Sequence, residues 1–188
     1  RAILRQDPDV VMIGEIRDGE TADIAVKAAL TGHLVLATLH TNSAPGAVSR
    51  LLDMGVESFM LSSTIEAVLA QRLQRRICQE CAKEVKITDK QSVLFTGVDL
   101  PAPEFISEGV GCEQCSGSGY KGRLGIHEIL VANPELRDKI AGGCSENELA
   151  ATAVQQGMID LRRDSLMKVA AGLTTIEECI RVTGLDNS

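Results

Sequence analysis

Asp9-Val10-Val11-Met12-Ile13-Gly14-Glu15-Ile16-Arg17-Asp18 is the stretch whose reading decides the fold. Four consecutive apolar residues, Val10 to Ile13, end at Gly14 and predict a short strand buried on both faces, as in a parallel sheet. Glu15 follows at once. Its carboxylate then stands at the C-terminal end of the strand, where open α/β sheets place their chemistry. Taken alone, the same residues also fit a buried strand closed by a solvated Glu-Arg-Asp turn.

The neighbours of this stretch extend it into a βαβ unit. Asp18 or Thr21 is the expected N-cap of a helix whose small face carries Ile24, Ala25, Ala28 and Ala29, and Thr31-Gly32 ends it. His33-Leu34-Val35-Leu36-Ala37-Thr38-Leu39-His40 reads as a second buried strand, so strand, helix and strand predict a parallel pair. His40 falls on the same edge as Glu15. His33 falls at the other end of a segment about 20 Å long. Either histidine, taken alone, reads as readily as an ordinary surface residue.

Upstream, Arg1 to Gln6 reads as the end of a helix broken by Asp7-Pro8. Downstream, Asn42 or Ser43 caps a helix with Pro45 in its first turn and Gly55 at its end. A further helix is expected from about 63 to 76, with Ile65, Val68, Leu69 and Leu73 on one face. From Cys78 to about Arg123 the chain is richer in Gly, Pro and Cys and reads as a loop-rich insertion. Capping boxes at Ser145 and Thr175 predict helices at about 146–156 and 176–183, with another from Leu161 to Ala171.

Cys78-Gln79-Glu80-Cys81 and Cys112-Glu113-Gln114-Cys115 are separated by thirty residues. Two Cys-x-x-Cys pairs offer four thiolates, the donor set of a structural tetrahedral Zn²⁺ site with no position left for a substrate. Disulfides, free thiols and a rubredoxin-like iron site are the alternatives. Cys144 and Cys179 read as small buried apolar residues, and His127 as structural. Cys112 to Gly119 also resembles the zinc repeat of J-domain co-chaperones, of which this chain carries one copy.

The formal charge of −7 over 188 residues and the near absence of stacking aromatics (no Trp, one Tyr) argue against nucleic acid as a partner. Arg72-Leu73-Gln74-Arg75-Arg76 is a local basic cluster. No apolar run approaches the roughly 20 residues needed to span a bilayer. The chain begins with Arg1, without a Met, and reads as part of a longer protein.

Leu4-Arg5-Gln6-Asp7-Pro8-Asp9 running into Gly14-Glu15-Ile16-Arg17-Asp18, then Thr31-Gly32-His33 through His40-Thr41-Asn42, resembles the secretion ATPase superfamily. These are the hexameric motors of type II secretion and type IV pilus assembly. Ala70-Gln71-Arg72-Leu73, the two cysteine pairs, and Gly119-Tyr120-Lys121-Gly122-Arg123 carry the resemblance onward. The cysteine pairs are more similar to the export and pilus-extension branch (GspE/PilB-like) than to the retraction branch.

The resemblance implies an α/β fold: a partial RecA-like parallel-sheet NTPase core over 1–76, a tetracysteine zinc subdomain over 77–125 and a helical C-terminal region over 126–188. In P-loop NTPases the carboxylate after this strand handles Mg²⁺ and the attacking water. Glu15 is then the Walker B glutamate, His33 and His40 form the His box, and His40 faces the γ-phosphate. Asp9 is expected to touch no metal. Arg5 and Arg17 are candidate charge partners of nucleotide or a neighbouring subunit. Cys78, Cys81, Cys112 and Cys115 hold structural zinc, and ATP and Mg²⁺ belong to the full-length parent. The implied partners are its own subunits in a hexamer and an inner-membrane platform protein. The implied location is cytoplasmic and peripheral at the bacterial inner membrane.

One departure from the family dominates. The sequence contains no Gly-x-x-x-x-Gly-Lys-Ser/Thr; the resemblance implies that this loop and the family's Asp box lie upstream of these residues. Without that loop the phosphates lack their backbone cradle and Lys, so the chain alone is expected to hydrolyse ATP negligibly. A non-catalytic zinc-stabilised binding module is the competing expectation.

Overall fold

The computed structural model describes residues 8–184. The expected helix end at 1–6 and Arg5 lie outside the described residues. Two compact units divide the chain: residues up to Ala70 with Ile129–Met158, and Gln71–Glu128 with residues from Ile159 onward.

In the first unit β1 (Val10–Ile13) pairs in parallel with β2 (Leu34–Ala37), in the register Val10↔Leu34 to Ile13↔Ala37. The connecting helix α1 (Gly19–Leu30) is capped by Asp18, whose carboxylate accepts from the Thr21 N–H at 2.8 Å. Ala22, Ala25, Val26 and Ala28 are its buried residues. The expected small face is therefore present but rotated, with Ile24 and Ala29 only half-buried. Small side chains let α1 lie close on what it covers.

The strands are not buried on both faces as expected. Val11, Ile13 and Val35 turn inward, whereas Val10, Met12, Leu34 and Leu36 stay 51–78% exposed. The continuous apolar run matches a sheet covered twice, but the described residues cover one side only.

α2 (Ala44–Asp53) and α3 (Ser58–Thr64) follow, then β3 (Ala67–Ile77). The helix expected over 63–76 is overturned. Ile65, Val68, Leu69 and Leu73 fit a 3.6-residue period by coincidence of spacing. The chain instead extends, with Val68, Ala70, Arg72 and Gln74 inward and Leu69, Gln71 and Leu73 exposed, the two-residue period of a strand. Polar Arg72 and Gln74 tolerate the inward side because they are hydrogen-bonded: Arg72 donates to the Val182 carbonyl at 2.8 Å and Gln74 to Ser165 Oγ at 2.5 Å.

β3 pairs with β6 (Tyr120–Val131), and both strands run through both units. Between them the expected loop-rich insertion contains β4 (Ala82–Lys86) antiparallel to β5 (Phe105–Gly109) and the helix α4 (Asp89–Thr96). Thr88 and Gln91 form the capping box that starts α4. The remaining helices are α5 (Pro134–Ala141), α6 (Glu146–Gln155), α7 (Leu161–Ala170) and α8 (Ile176–Thr183), the last three as expected.

Each unit has its own core. In the first, Val48, Leu51 and Leu61 pack with Leu130, Leu136, Ile140 and Leu149. In the second, Phe95 and Ile106 pack with Leu166, Val169, Ile176 and Cys179. Beside that second core lies the fully buried Glu178, which accepts from the Arg75 N–H and Nε at 2.8 Å each and from Arg181 Nε at 2.7 Å. Arg75 lies 4.1 Å over the Tyr120 ring, and the Tyr120 hydroxyl is 2.9 Å from Thr175 Oγ1.

Candidate functional site

Glu15 leaves the end of β1 on backbone that β2 still holds. The Ile16 N–H donates to the Thr38 carbonyl at 2.9 Å, and Thr38 Oγ1 donates to the Gly14 carbonyl. This double anchor brings the residues after both strands side by side. His40 Nε2 lies 2.9 Å from Glu15 Oε1, and Arg17 Nε donates to Glu15 Oε2 at 2.6 Å. Both oxygens of the carboxylate are thus engaged. The hydrogen bond from Arg17 holds the Glu15 carboxyl below its ordinary value, aided by the Arg17 and His40 charges and opposed by partial burial. Glu15 is a carboxylate at neutral pH.

These residues line a cleft of about 170 Å³ together with Leu39, Arg50 and Met54. Arg50 lies near the end of α2. Sequence reasoning gave it no role. The available signal was its place on the helix that begins directly after the His40 strand. The cleft therefore collects one carboxylate, two guanidinium groups and an exposed imidazole. The chemistry open to such a set is to hold an anion through the cations while the carboxylate serves as an acceptor for a proton or a hydrated cation.

His33 stands at the opposite end of β2, beside the backbone hydrogen bond from the Leu34 N–H to the Asp9 carbonyl. Its Nδ1 lies 3.0 Å from both the Ala28 carbonyl and Thr31 Oγ1, so the ring secures the C-terminus of α1. The structure brings His40, and not His33, to Glu15. Asp9 likewise lies away from the cleft, at the start of β1.

Cys78, Cys81, Cys112 and Cys115 form the second site. Their four sulfurs lie within 4.8 Å of one another, and they are the one metal-competent cluster found among the described residues. Cys78–Cys112, Cys81–Cys115 and Cys112–Cys115 are separated by 3.9, 3.8 and 3.7 Å between sulfurs. A tetrahedron of thiolates at about 2.3 Å from a metal has edges of about 3.8 Å. A disulfide needs about 2.05 Å. The spacing therefore fits an ion such as zinc, and all six cysteines are free thiols.

Short 3₁₀ turns, Gln79–Cys81 and Glu113–Cys115, place each pair. The Cys112 and Gly119 N–H groups donate to Cys115 Sγ at 3.2 and 3.3 Å. Gly119 (φ +75°) also passes so close to Gly109 that an added Cβ would lie 2.3 Å from its carbonyl oxygen. Burial pushes the Cys115 thiol up, but the Cys112 and Gly119 amides and the neighbouring thiols outweigh it and bring it to about 6. Burial pushes Cys81 up to about 11. His127 lies outside the cluster, with its backbone N–H on Asp164 Oδ2 at 2.7 Å.

A parallel βαβ unit with this carboxylate–histidine cleft, together with a tetracysteine cluster, makes this an α/β protein with a candidate metal site. The family model for Type II/IV secretion system protein matches residues 1–181, and the chain belongs to that family.

Type II secretion system protein E of Dickeya dadantii is 55% identical over 186 residues, covering 97% of this chain and 36% of that protein. Type IV pilus assembly ATPase PilB of Myxococcus xanthus is 48% identical over 188 residues, covering 99% of this chain and 33% of that protein. The chain thus spans about a third of the length of these relatives. The pilus retraction motor PilT with bound ADP superposes with a TM-score of 0.66 at 27% identity, covering 97% of this chain and 41% of that one. The ATPase DotB of Legionella pneumophila gives 0.65 at 25% identity, covering 98% and 41%. No described helix is long and apolar enough to cross a membrane.

Proposed function

We propose that this chain carries the water-positioning half of an ATP-hydrolysing motor that powers protein secretion or pilus assembly. The single observation behind this reading is the 2.9 Å contact between Glu15 and His40 at the C-terminal ends of paired parallel strands, in a cleft that also presents Arg17 and Arg50. The relatives' names, a type II secretion system protein E and a type IV pilus assembly ATPase, support it.

In this reading Glu15 is the residue that would accept a hydrogen bond from the attacking water and would help to hold Mg²⁺, which would supply charge neutralisation for the phosphates. Its lowered pKa keeps it ionised for both tasks. His40 reaches the γ-phosphate side of the cleft. Arg17 and Arg50 offset the negative charge that the transferred phosphoryl group spreads over its oxygens. His33, the other half of the proposed His box, acts from the far end of the strand by fixing α1. The phosphate cradle, whose motif this sequence lacks, is contributed by the longer protein. The assembled motor is a hexamer acting in the cytoplasm on a platform protein at the inner membrane. The tetracysteine cluster carries structural zinc.

Steady-state ATPase kinetics of a longer protein containing this chain and a P-loop test the reading. Glu15→Gln is expected to lower kcat by at least about 100-fold with little change in KM. The 188-residue chain alone is expected to show no turnover above background. A Glu15→Gln motor with near-wild-type kcat would sink the assignment.

A further inference from the structure

The N-terminus of α2 is held by a residue far away in sequence. Ser43 caps α2 by accepting from the Gly46 N–H at 3.0 Å, and its one hydroxyl proton goes to Glu146 Oε1 at 2.8 Å. Glu146 is the first residue of α6, which is capped by Ser145 and Glu148. Its carboxylate thus sits between the starts of two helices, each the positive end of its macrodipole.

Gly46 marks this approach as built. It occupies the third position of α2, in the first turn directly behind the Ser43 cap. An added Cβ there would lie 2.7 Å from Ser43 Oγ and 3.0 Å from Glu146 Oε1. A larger residue there forces Ser43 Oγ or the Glu146 carboxylate to shift.

Only Thr41 and Asn42 separate Ser43 from His40. The strand side of this turn is anchored by the Thr38 contacts to Gly14 and Ile16. Its helix side is anchored by the Ser43 cap, with Thr41 Oγ1 donating to the Ser43 carbonyl at 3.2 Å. Glu146 reaches this turn from 103 residues further along the chain. We infer that Glu146 is a positioning residue: through Ser43 it sets the turn that aims His40 at Glu15, and so couples the placement of α6 to the candidate catalytic cleft. This rests on the Glu15–His40 reading and deepens it.

NMR of the 188-residue chain tests the coupling. The chain has three histidines, so each ring is a separate reporter. Glu146→Ala is expected to shift the His40 ring signals and the Gly46 amide while the His33 and His127 rings stay in place, which also shows that the variant is folded. Glu146→Gln keeps an acceptor for Ser43 and is expected to leave the His40 ring near its wild-type position. Gly46→Ala is expected to shift the His40 ring as Glu146→Ala does, and the double variant to shift it no further. His40 signals unmoved in Glu146→Ala overturn the inference, as does a Glu146→Gln shift as large as that of Glu146→Ala. These signals need no turnover. Failure here leaves the Glu15→Gln assay standing, and failure of that assay leaves the geometric coupling measurable.

Discussion

Glu178 shows at the scale of one residue how a buried charge is made tolerable. Burial alone would push its carboxyl up, but the hydrogen bonds from Arg181 and Arg75 outweigh burial and hold it at about 2, against an ordinary value of 4.5. The folded value lies below the unfolded one. The stabilisation is therefore complete above about pH 4.5 and drains away as pH falls toward about 2. The shift corresponds to a contribution on the order of 3 kcal/mol. Urea denaturation midpoints measured from pH 6 to pH 3 are expected to fall steeply for the wild type and less steeply for Glu178→Gln. At pH 6 Glu178→Gln is expected to be less stable by about 3 kcal/mol, since it removes the negative charge that two arginines pair with and turns one acceptor oxygen into a donor. An unchanged acid slope would show that other carboxylates dominate.

At the scale of elements, the best-read features are those whose causes are local. Asp18, Ser43, Ser145 and Thr175 all cap the helices expected of them, because a capping side chain bonds to backbone only a few residues away. Strand β3 was not legible for the opposite reason. What makes Gln74 an inward residue is Ser165 on α7, and what makes Arg72 one is the Val182 carbonyl on α8, roughly a hundred residues later. A local window sees only that 65, 68, 69 and 73 share a helical face. That Glu15 and His40 share an edge was legible because two apolar runs joined by a helix predict parallel strands whose C-terminal ends lie together. The contribution of Arg50 was not, because no spacing rule ties a helix side chain to a cleft across from it.

The tetracysteine turns make a prediction at this scale too. Zinc is expected at about one ion per chain, measured by metal analysis of the purified protein. A strong chelator is expected to release it and to open Cys78, Cys81, Cys112 and Cys115 to alkylation, while Cys179 stays protected by burial. A Cys115→Ser variant is expected to retain little metal. Full alkylation of the four thiols before chelation would rule the site out.

At the scale of the molecule, the chain passes between its two units three times, after Ala70, Glu128 and Met158. The core of the first unit draws Leu130, Leu136, Ile140 and Leu149 from the second of its two segments. A chain truncated after Glu128 therefore keeps Val48, Leu51 and Leu61 but loses the residues that cover them. Such a truncation is expected to lose its cooperative thermal transition, read by circular dichroism, although the βαβ sequence is intact. A sharp wild-type transition in the truncated chain would show that residues 129–158 add little to the first unit. The sequence could not announce this interleaving, because hydrophobic periodicity reports which face of an element is buried and not which distant segment buries it.

Arg17 has a further consequence for the cleft. It lies against Glu15 at 2.6 Å, while its own side chain is 77% exposed to water. A pair so open to solvent is screened by salt and broken cheaply. Raising the ionic strength therefore loosens Arg17 from Glu15 well before it reaches the buried carboxylate of Glu178, so salt separates the one ion pair from the other.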